Sequence, residues 1–356
     1  MKKLLIILPL LFSQFTMANC EMDLAQTVSW LNDSFPSDSP FTELSIKSAT
    51  YLDLGNKCIL DKELSNLCSL THIQSLDLYN DHCSEKLDGT GLKDLLALKN
   101  LTSLDLDYND IELSKLRDLK NISHLKLLGN KLNEKDLSIL TELKGLKDLN
   151  LADNNLTHKS IKQLKGLTTR FLNLGNNAFS DEDFDGLSKL NILELALAPY
   201  SKNNKLEATI GDTFWQELDK MQIHSLGLTI EQASSKIPTN LKLDNLKSIS
   251  ISRGIFSNSN FESFKKYNKI TLFIFDFVPF SPRARVKAQS WIINQDSFTK
   301  LNLSSFKLDF GIDFLKEIAN KKVVNEVTIN KSLAERIGHQ ALFELAKSFE
   351  DFKISF

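Results

Sequence analysis

Carboxylates and tyrosines recur along the first third of this chain at the spacing of a repeat. Asp53, Asp77 and Asp105 lie 24 and 28 residues apart, joined by Asp107 and interleaved with Tyr51, Tyr79 and Tyr108. Acids at that density can hold a cation such as calcium or meet a basic protein or peptide, and tyrosine adds rigid area with a polar tip. Ordinary solvated strand surface is the other reading of the same residues. Lys126, Asn150, Asn173, Glu194 and Arg170 carry the pattern on with mixed charge. Thiols and imidazoles come close at Cys68-x-x-x-His72 and His82-Cys83, but that spacing matches no standard zinc pattern, and no metal is expected. The six histidines are scattered, and His124 and His224 read as surface residues rather than acid–base groups. There is no G-x-S-x-G, no phosphate loop and no H-E-x-x-H. The sequence offers no catalytic constellation and no cofactor site, and a non-enzyme is expected.

The elements that position these residues are legible as a motif, L-x-x-L-x-L-x-x-N-x-L. It appears as LTSLDLDYNDI from Leu101, as ISHLKLLGNKL from Ile122 and as LKDLNLADNNL from Leu146. Thirteen turns can be placed, starting at Ala49, Ile73, Leu101, Ile122, Leu146, Thr169, Leu190, Ile223, Leu246, Tyr267, Phe298, Val324 and Phe349, at intervals of 21 to 33 residues. A fixed motif near 25 residues is the signature of a leucine-rich-repeat solenoid, an α/β horseshoe. Residues four and six of each turn, such as Leu104 and Leu106, alternate along a short strand and point inward. The strands stack as a parallel concave sheet. The asparagine at position nine turns the chain away, and Asn109, Asn130, Asn154 and Asn177 form a ladder of backbone-binding amides. Apolar residues three apart, as in Leu113, Leu116 and Leu119, suit short helices or 3₁₀ segments on the convex side. Positions two, three, five, seven and eight face outward on the concave side, which is where the acids and tyrosines fall.

Residues 49–189 carry regular repeats, and 190–356 diverged ones with insertions at 200–220 and 279–297. In the second half, position nine is no longer Asn, alternating pairs such as Leu226/Leu228, Ile270/Leu272 and Phe352/Ile354 persist, and phenylalanine enters the core. A separate α/β domain starting near Pro199 is the alternative. Asp212 is placed as the N-cap of a helix in the first insertion. Ser281-Pro282 precedes Arg283, Arg285 and Lys287 in the second, which reads as a capped, solvated helix start.

Residues 1–18 resemble a signal peptide: Lys2 and Lys3, the apolar run Leu4 to Phe12, and small residues at Thr16 and Ala18 before a cleavage site. Asn19 fits a lipoprotein signal poorly at the position before Cys20. The run is too short to span a bilayer, and no integral membrane segment is expected in the mature chain. Residues 19–48 read as an N-terminal cap, with Leu24, Val28 and Leu31 on one helix face. A secreted or periplasmic location follows, and an even set of cysteines in an exported chain favours disulfides. Of three pairings, Cys58–Cys83 with Cys20–Cys68 is preferred, because Cys58 and Cys83 occupy nearly equivalent places in adjacent turns. The net charge of −2 argues against a nucleic-acid partner.

The run from Ile73 to Phe179 resembles the leucine-rich-repeat family and, among bacterial members, the internalin-type exported proteins. That resemblance implies recognition of a protein partner, often a host-cell or cell-envelope protein, through the concave face; separately, the chain is expected to be a monomer. The chain departs from internalins in its variable repeat length, in having no immunoglobulin-like domain after the repeats, and in lacking a C-terminal sorting motif. The leucine-rich-repeat ubiquitin ligases have a catalytic cysteine domain with no counterpart after Cys83. The alternatives are a hydrolase-type activity in the divergent half or a structural envelope component.

Overall fold

The computed structural model describes residues 20–132, 134–198, 208–235, 238, 240–252, 272–276, 298–303, 312–320, 324–329, 331–349 and 352–355. The segment expected to be a signal peptide, the second insertion and the phenylalanines Phe256, Phe261, Phe264 and Phe306, which the repeat period assigns to the core, lie outside them. Thirteen strands form one parallel sheet in strict chain order. They are β1 (Tyr51–Asp53), β2 (Ser75–Asp77), β3 (Ser103–Asp105), β4 (His124–Lys126), β5 (Asp148–Asn150), β6 (Thr168–Asn173), β7 (Asn191–Ala196), β8 (Ser225–Leu228), β9 (Ser248–Ser252), β10 (Leu272–Asp276), β11 (Phe298–Leu303), β12 (Val324–Ile329) and β13 (Lys353–Ser355).

Alternation explains the sheet. Leu52, Leu76, Leu104, Leu125, Leu149, Leu172, Leu195, Leu226 and Ile249 stand opposite one another in register and are all buried. A second buried column two residues on runs Leu54, Leu78, Leu106, Leu127, Leu151, Leu174, Leu197, Leu228, Ile251. Each turn covers its neighbour's leucines, so one core extends along the solenoid. The return segments are 3₁₀ in the first four turns, as at Asp61–Leu67 and Glu134–Glu142, where they bury the apolar residues spaced three apart, and later ones include the α-helices His158–Gln163, Asp212–Asp219 and Ile312–Asn320.

Three turns have a register different from that expected. Leu195, not Leu193, pairs with Leu172, which moves the seventh turn two residues later and leaves Leu193 36% exposed. Ile354, not Phe352, pairs with Val327, again a slip of two. In the tenth turn Phe273 and Phe275 align with Ile249 and Ile251, where Ile270 and Leu272 were expected. Leu272 therefore stands opposite Ser248.

Helix starts on the return side are capped from the preceding turn. Asp212 is the first helical residue of Asp212–Asp219 rather than its N-cap, and Gly211 holds the cap position without a side-chain bond. The capping carboxylate is Asp181, which accepts from Gly211 N at 2.6 Å, Thr213 N at 2.9 Å and Phe214 N at 3.0 Å. Glu134 does the same for Thr157 N and the Ser160 hydroxyl. Burial alone would raise the Asp181 carboxyl, but the three N–H groups outweigh it and hold it below the usual range. Its folded value being depressed, the stability it contributes is present above the ordinary carboxylate pKa and is lost as pH falls through the folded value. Asp181→Ala is expected to cost about 2 kcal/mol in urea unfolding at pH 7, with the difference from wild type shrinking as the pH falls below about 4.

Ahead of β1, a helix at Leu24–Ser34 begins with a reciprocal cap between Asp23 and Gln26 and buries Thr27, Val28 and Leu31. Disulfides join Cys20 to Cys68 and Cys58 to Cys83. The first ties this helix to the first turn, and the second ties the first turn to the next.

Candidate functional site

The open face of the sheet carries the residues singled out from the sequence, and position five of each turn governs its chemistry. Asp53, Asp77, Asp105, Asn150 and Asn173 each turn one side-chain oxygen back onto the backbone N–H two residues on. The acceptor distances run from Asp53 to Gly55 N at 2.9 Å, Asp77 to Tyr79 N at 2.9 Å, Asp105 to Asp107 N at 3.0 Å, Asn150 to Ala152 N at 3.1 Å and Asn173 to Gly175 N at 2.9 Å. These are Asx turns, which is why only Asp or Asn fills the column wherever the bond is made. The aspartates keep a second oxygen, and the asparagines an amide nitrogen, for their surroundings.

The fourth turn breaks the rule with Lys126. Its position-seven amide, Leu128 N, is taken instead by Asp107 Oδ1 of the preceding turn at 2.7 Å. Asp107 was expected among the partner-facing residues; it is only 8% exposed, because this inter-turn bond draws it inward. Burial raises its carboxyl to about 7, with neighbouring Asp105 adding to the effect. Lys126 lies on the surface and reaches back to Asp105 Oδ2 at 2.6 Å.

Further along, the charges neutralise one another. Arg170 bridges Asp148 and Glu194, the latter at 2.7 Å, and His124 Nε2 lies 3.1 Å from Asp148 Oδ2. Ser123 Oγ is 2.8 Å from His124 Nδ1, which completes a Ser–His–Asp connectivity. The backbone N–H groups of Ser123 and His124 both donate to Thr102 O, so neither is left to stabilise an oxyanion beside that hydroxyl. The set therefore reads as an ion-pair network that fixes Arg170 across β5, β6 and β7.

The first three turns differ. Tyr51 is 51% exposed and its hydroxyl donates to Asp77 Oδ2 at 3.3 Å. Tyr79 and Tyr108 pack edge to face, with ring centroids 5.4 Å apart. Tyr108 has φ of 58°, and its ring lies over Gly129, whose own φ is 70° and where a Cβ would come within 2.8 Å of Tyr108 Cδ1. Glycine is thus required there on both counts. Burial, then Asp105 and Asp53, raise the Asp77 carboxyl, and burial with Asp81 pushes Tyr79 up to about 12. Among the described residues, neither Asp53 nor Asp77 has a lysine or arginine at ion-pair distance, whereas Asp105, Asp148 and Glu194 do. The structure thus brings Tyr51, Asp53, Asp77, Tyr79 and Tyr108 into one patch, and sets Lys126, Asn150 and Arg170 apart from it in bonds of their own.

Behind the face runs the asparagine spine. Asn177 Oδ1 accepts from Asn154 N at 2.9 Å and Leu156 N at 3.0 Å, and Asn154 Oδ1 accepts from Asn130 N at 2.9 Å. Asn130 Oδ1 takes Ile111 N at 3.0 Å, and Asn109 Oδ1 takes Leu87 N at 3.1 Å. Sequence reasoning missed Asn80, which is buried and donates to Asn109 Oδ1 at 3.3 Å. The signal was an asparagine two residues after Leu78 rather than three, one place early in the motif.

No protein-family model and no curated protein matches this sequence. Among solved structures, the chain is similar to an internalin (InlF) from Listeria monocytogenes, at 16% identity and a TM-score of 0.40, over 94% of this chain and 94% of that one. An internalin C2 (InlC2) of the same species is 18% identical with a TM-score of 0.35, over 73% of this chain and 93% of that one. TLR13, solved in a complex with ssRNA13, is 17% identical with a TM-score of 0.40, over 88% of this chain and 55% of TLR13. By its stacked leucine columns, single parallel sheet and asparagine spine, the chain has the fold of a leucine-rich-repeat solenoid.

Proposed function

We propose that this chain is an exported, monomeric recognition protein that captures a protein partner on the concave face of its sheet, and that it is not an enzyme. The observation that carries this reading is the patch at Tyr51, Asp53, Asp77, Tyr79 and Tyr108, where acids stand without a lysine or arginine at ion-pair distance beside exposed tyrosine, while Asp105, Asp148 and Glu194 along the same face have such partners. A basic surface on the partner, from a host cell or the cell envelope, would supply the missing charge. We read residues 19–48 as a cap and 49–356 as one solenoid, since β7 to β13 continue the sheet of β1 to β6. That continuity also favours binding over a hydrolase in the second half. Export through a signal cleaved after Ala18 agrees with two disulfides. No helix among the described residues is long and apolar enough to cross a membrane.

The test keeps the Asx turns and removes the charge. In Asp53→Asn with Asp77→Asn, the amide oxygens can still accept from Gly55 N and Tyr79 N. The mature chain is used to capture proteins from host and envelope extracts, and the captured partner is titrated against wild type and variant. The double variant is expected to bind about tenfold more weakly, with the loss shrinking at high salt. Equal affinity at low salt would remove the patch from the binding surface.

A further inference from the structure

Position seven is Gly55, Tyr79, Leu128, Ala152 and Gly175 in the turns around the third, where it is Asp107. Two adjacent residues of that turn clasp both backbone groups of one residue in the next: Asp107 Oδ1 accepts from Leu128 N at 2.7 Å, and Tyr108 N donates to Leu128 O at 2.6 Å. The Tyr108 bond has counterparts in the neighbouring turns, as from Asn80 N to Asp107 O at 3.0 Å and from Gly129 N to Ala152 O at 3.1 Å, whereas the Asp107 bond replaces the Asx turn that Lys126 cannot make. The groups facing the buried carboxylate are Asp105 and Tyr108 on its own turn, Asp77 and Tyr79 from the turn before, and Lys126 from the turn after. Lys126 is the cation of this group, and its Nζ is held by Asp105 Oδ2 at 2.6 Å. A nine-tenths buried acid, beside like charges and served by a cation bound to its neighbour, gives up its proton late.

We propose that Asp107 is a proton-operated latch between the third and fourth turns, which closes on Leu128 when ionised and relaxes when protonated. Burial raises this carboxyl to about 7, Asp105 adding to the rise while the Leu128 N–H and Lys126 oppose it. The ionised form makes a charge-assisted bond to Leu128 N, and the protonated form only a neutral one. The released proton goes to solvent, since Tyr79 and Tyr108 are themselves raised above their ordinary values and stay neutral in this range. Ionisation also adds one negative charge beside Asp77 and Asp105. The consequence for a basic partner rests on the binding reading given above, but the titration itself does not.

Carboxyl-detected NMR of the whole chain, labelled at aspartate side chains, follows Asp107 while the amide spectrum follows Leu128. Both are expected to titrate together, with a midpoint between about pH 6 and 8. Asp105→Asn should lower the midpoint and Lys126→Met should raise it. In Asp107→Asn the Leu128 transition should vanish, with the bond kept by the amide oxygen. The folded carboxyl being raised, the wild-type chain should lose thermal stability relative to Asp107→Asn as pH climbs from about 5 to 8. A midpoint below about pH 5, or a Leu128 amide that ignores the Asp107 titration, overturns the latch. Because the wild-type titration needs no variant, a failure of any of them to fold leaves the result decisive. A lysine tetrapeptide serves as a separate probe of the face. Binding that rises about fivefold with ionisation extends the latch to the surface, and peptide binding lost at every pH counts against the acidic-patch reading while the NMR midpoint still decides the latch.

Discussion

Replacing Asn154 by alanine is expected to cost about 3–5 kcal/mol, because one amide makes four backbone bonds across two turns at once. Its Oδ1 takes Asn130 N at 2.9 Å and Leu132 N at 3.4 Å, and its Nδ2 gives to Leu127 O at 2.8 Å and Ala152 O at 3.0 Å. Truncation strands two buried N–H groups, each worth about 1–3 kcal/mol when left unpaired, and weakens two carbonyls. The isosteric Asn154→Asp should be as damaging. A carboxylate keeps the acceptor but cannot donate to Leu127 O and Ala152 O, and it buries a charge. Asn150→Ala, four residues earlier, loses one partly exposed bond to Ala152 N and should cost about 1 kcal/mol. Urea unfolding with far-UV circular dichroism checks the ranking. Each solenoid turn contacts chiefly its neighbours, so a broken rung is expected to split the transition and not only to move it. Asn154→Ala and Asn150→Ala with equal midpoints would mean that the spine is not what holds the turns together.

That contrast also marks how far the sequence can be read. The third turn is unambiguous, since Leu104, Leu106 and Asn109 fit the motif in one register only. In the seventh, Leu190-x-x-Leu193-x-Leu195 and Ile192-x-x-Leu195-x-Leu197 fit equally well, and the pairing of Leu195 with Leu172 decides between them. The tenth is harder still, because Ile270-Thr271-Leu272-Phe273-Ile274-Phe275 is apolar at both parities and gives no alternation to follow. The outward direction of Asp53, Asp77 and Asp105 was legible from period two. Their Asx bonds could have been inferred from the choice of Asp or Asn at one position, but the burial of Asp107 could not. It depends on a lysine in the next turn, whose side chain leaves Leu128 N unserved. The same holds for the Asp181 cap, since the N–H groups that donate to it lie 30 to 33 residues along the chain. Contacts within a turn are local in sequence, whereas those that shape the surface cross from one turn to the next.

Removing the Cys58–Cys83 disulfide, by Cys58→Ser with Cys83→Ser, is expected to cost about 3 kcal/mol and to loosen one end of the molecule more than the rest. The loop it closes spans 25 residues and that of Cys20–Cys68 spans 48, so loop-closure entropy alone predicts about 3.5 and 4 kcal/mol. Position matters as much as size. The buried spine reaches back to Asn80, which bonds Asn109, while the first turn carries Lys57 at position nine and offers only the exposed Asn56 amide, whose oxygen accepts from His82 N at 3.2 Å. The covalent link stands where the ladder of amides has run out, joining the turns that hold Tyr51, Asp53 and Asp77. Hydrogen exchange separates the local effect from the global one. The amides of Leu54 and Asn56, which bond Asp77 O at 2.9 Å and Tyr79 O at 2.6 Å, should exchange faster in the variant, while that of Leu151, bonded to Asn173 O at 2.9 Å, should change little. A uniform rise along the sheet would show that the disulfide acts on the unfolded chain alone. A local rise has a functional corollary: the acids and tyrosines of the patch would be intact in chemistry but no longer held in register. Weaker partner binding in this variant, with every patch residue in place, would then show that the first two turns must be rigid to be recognised.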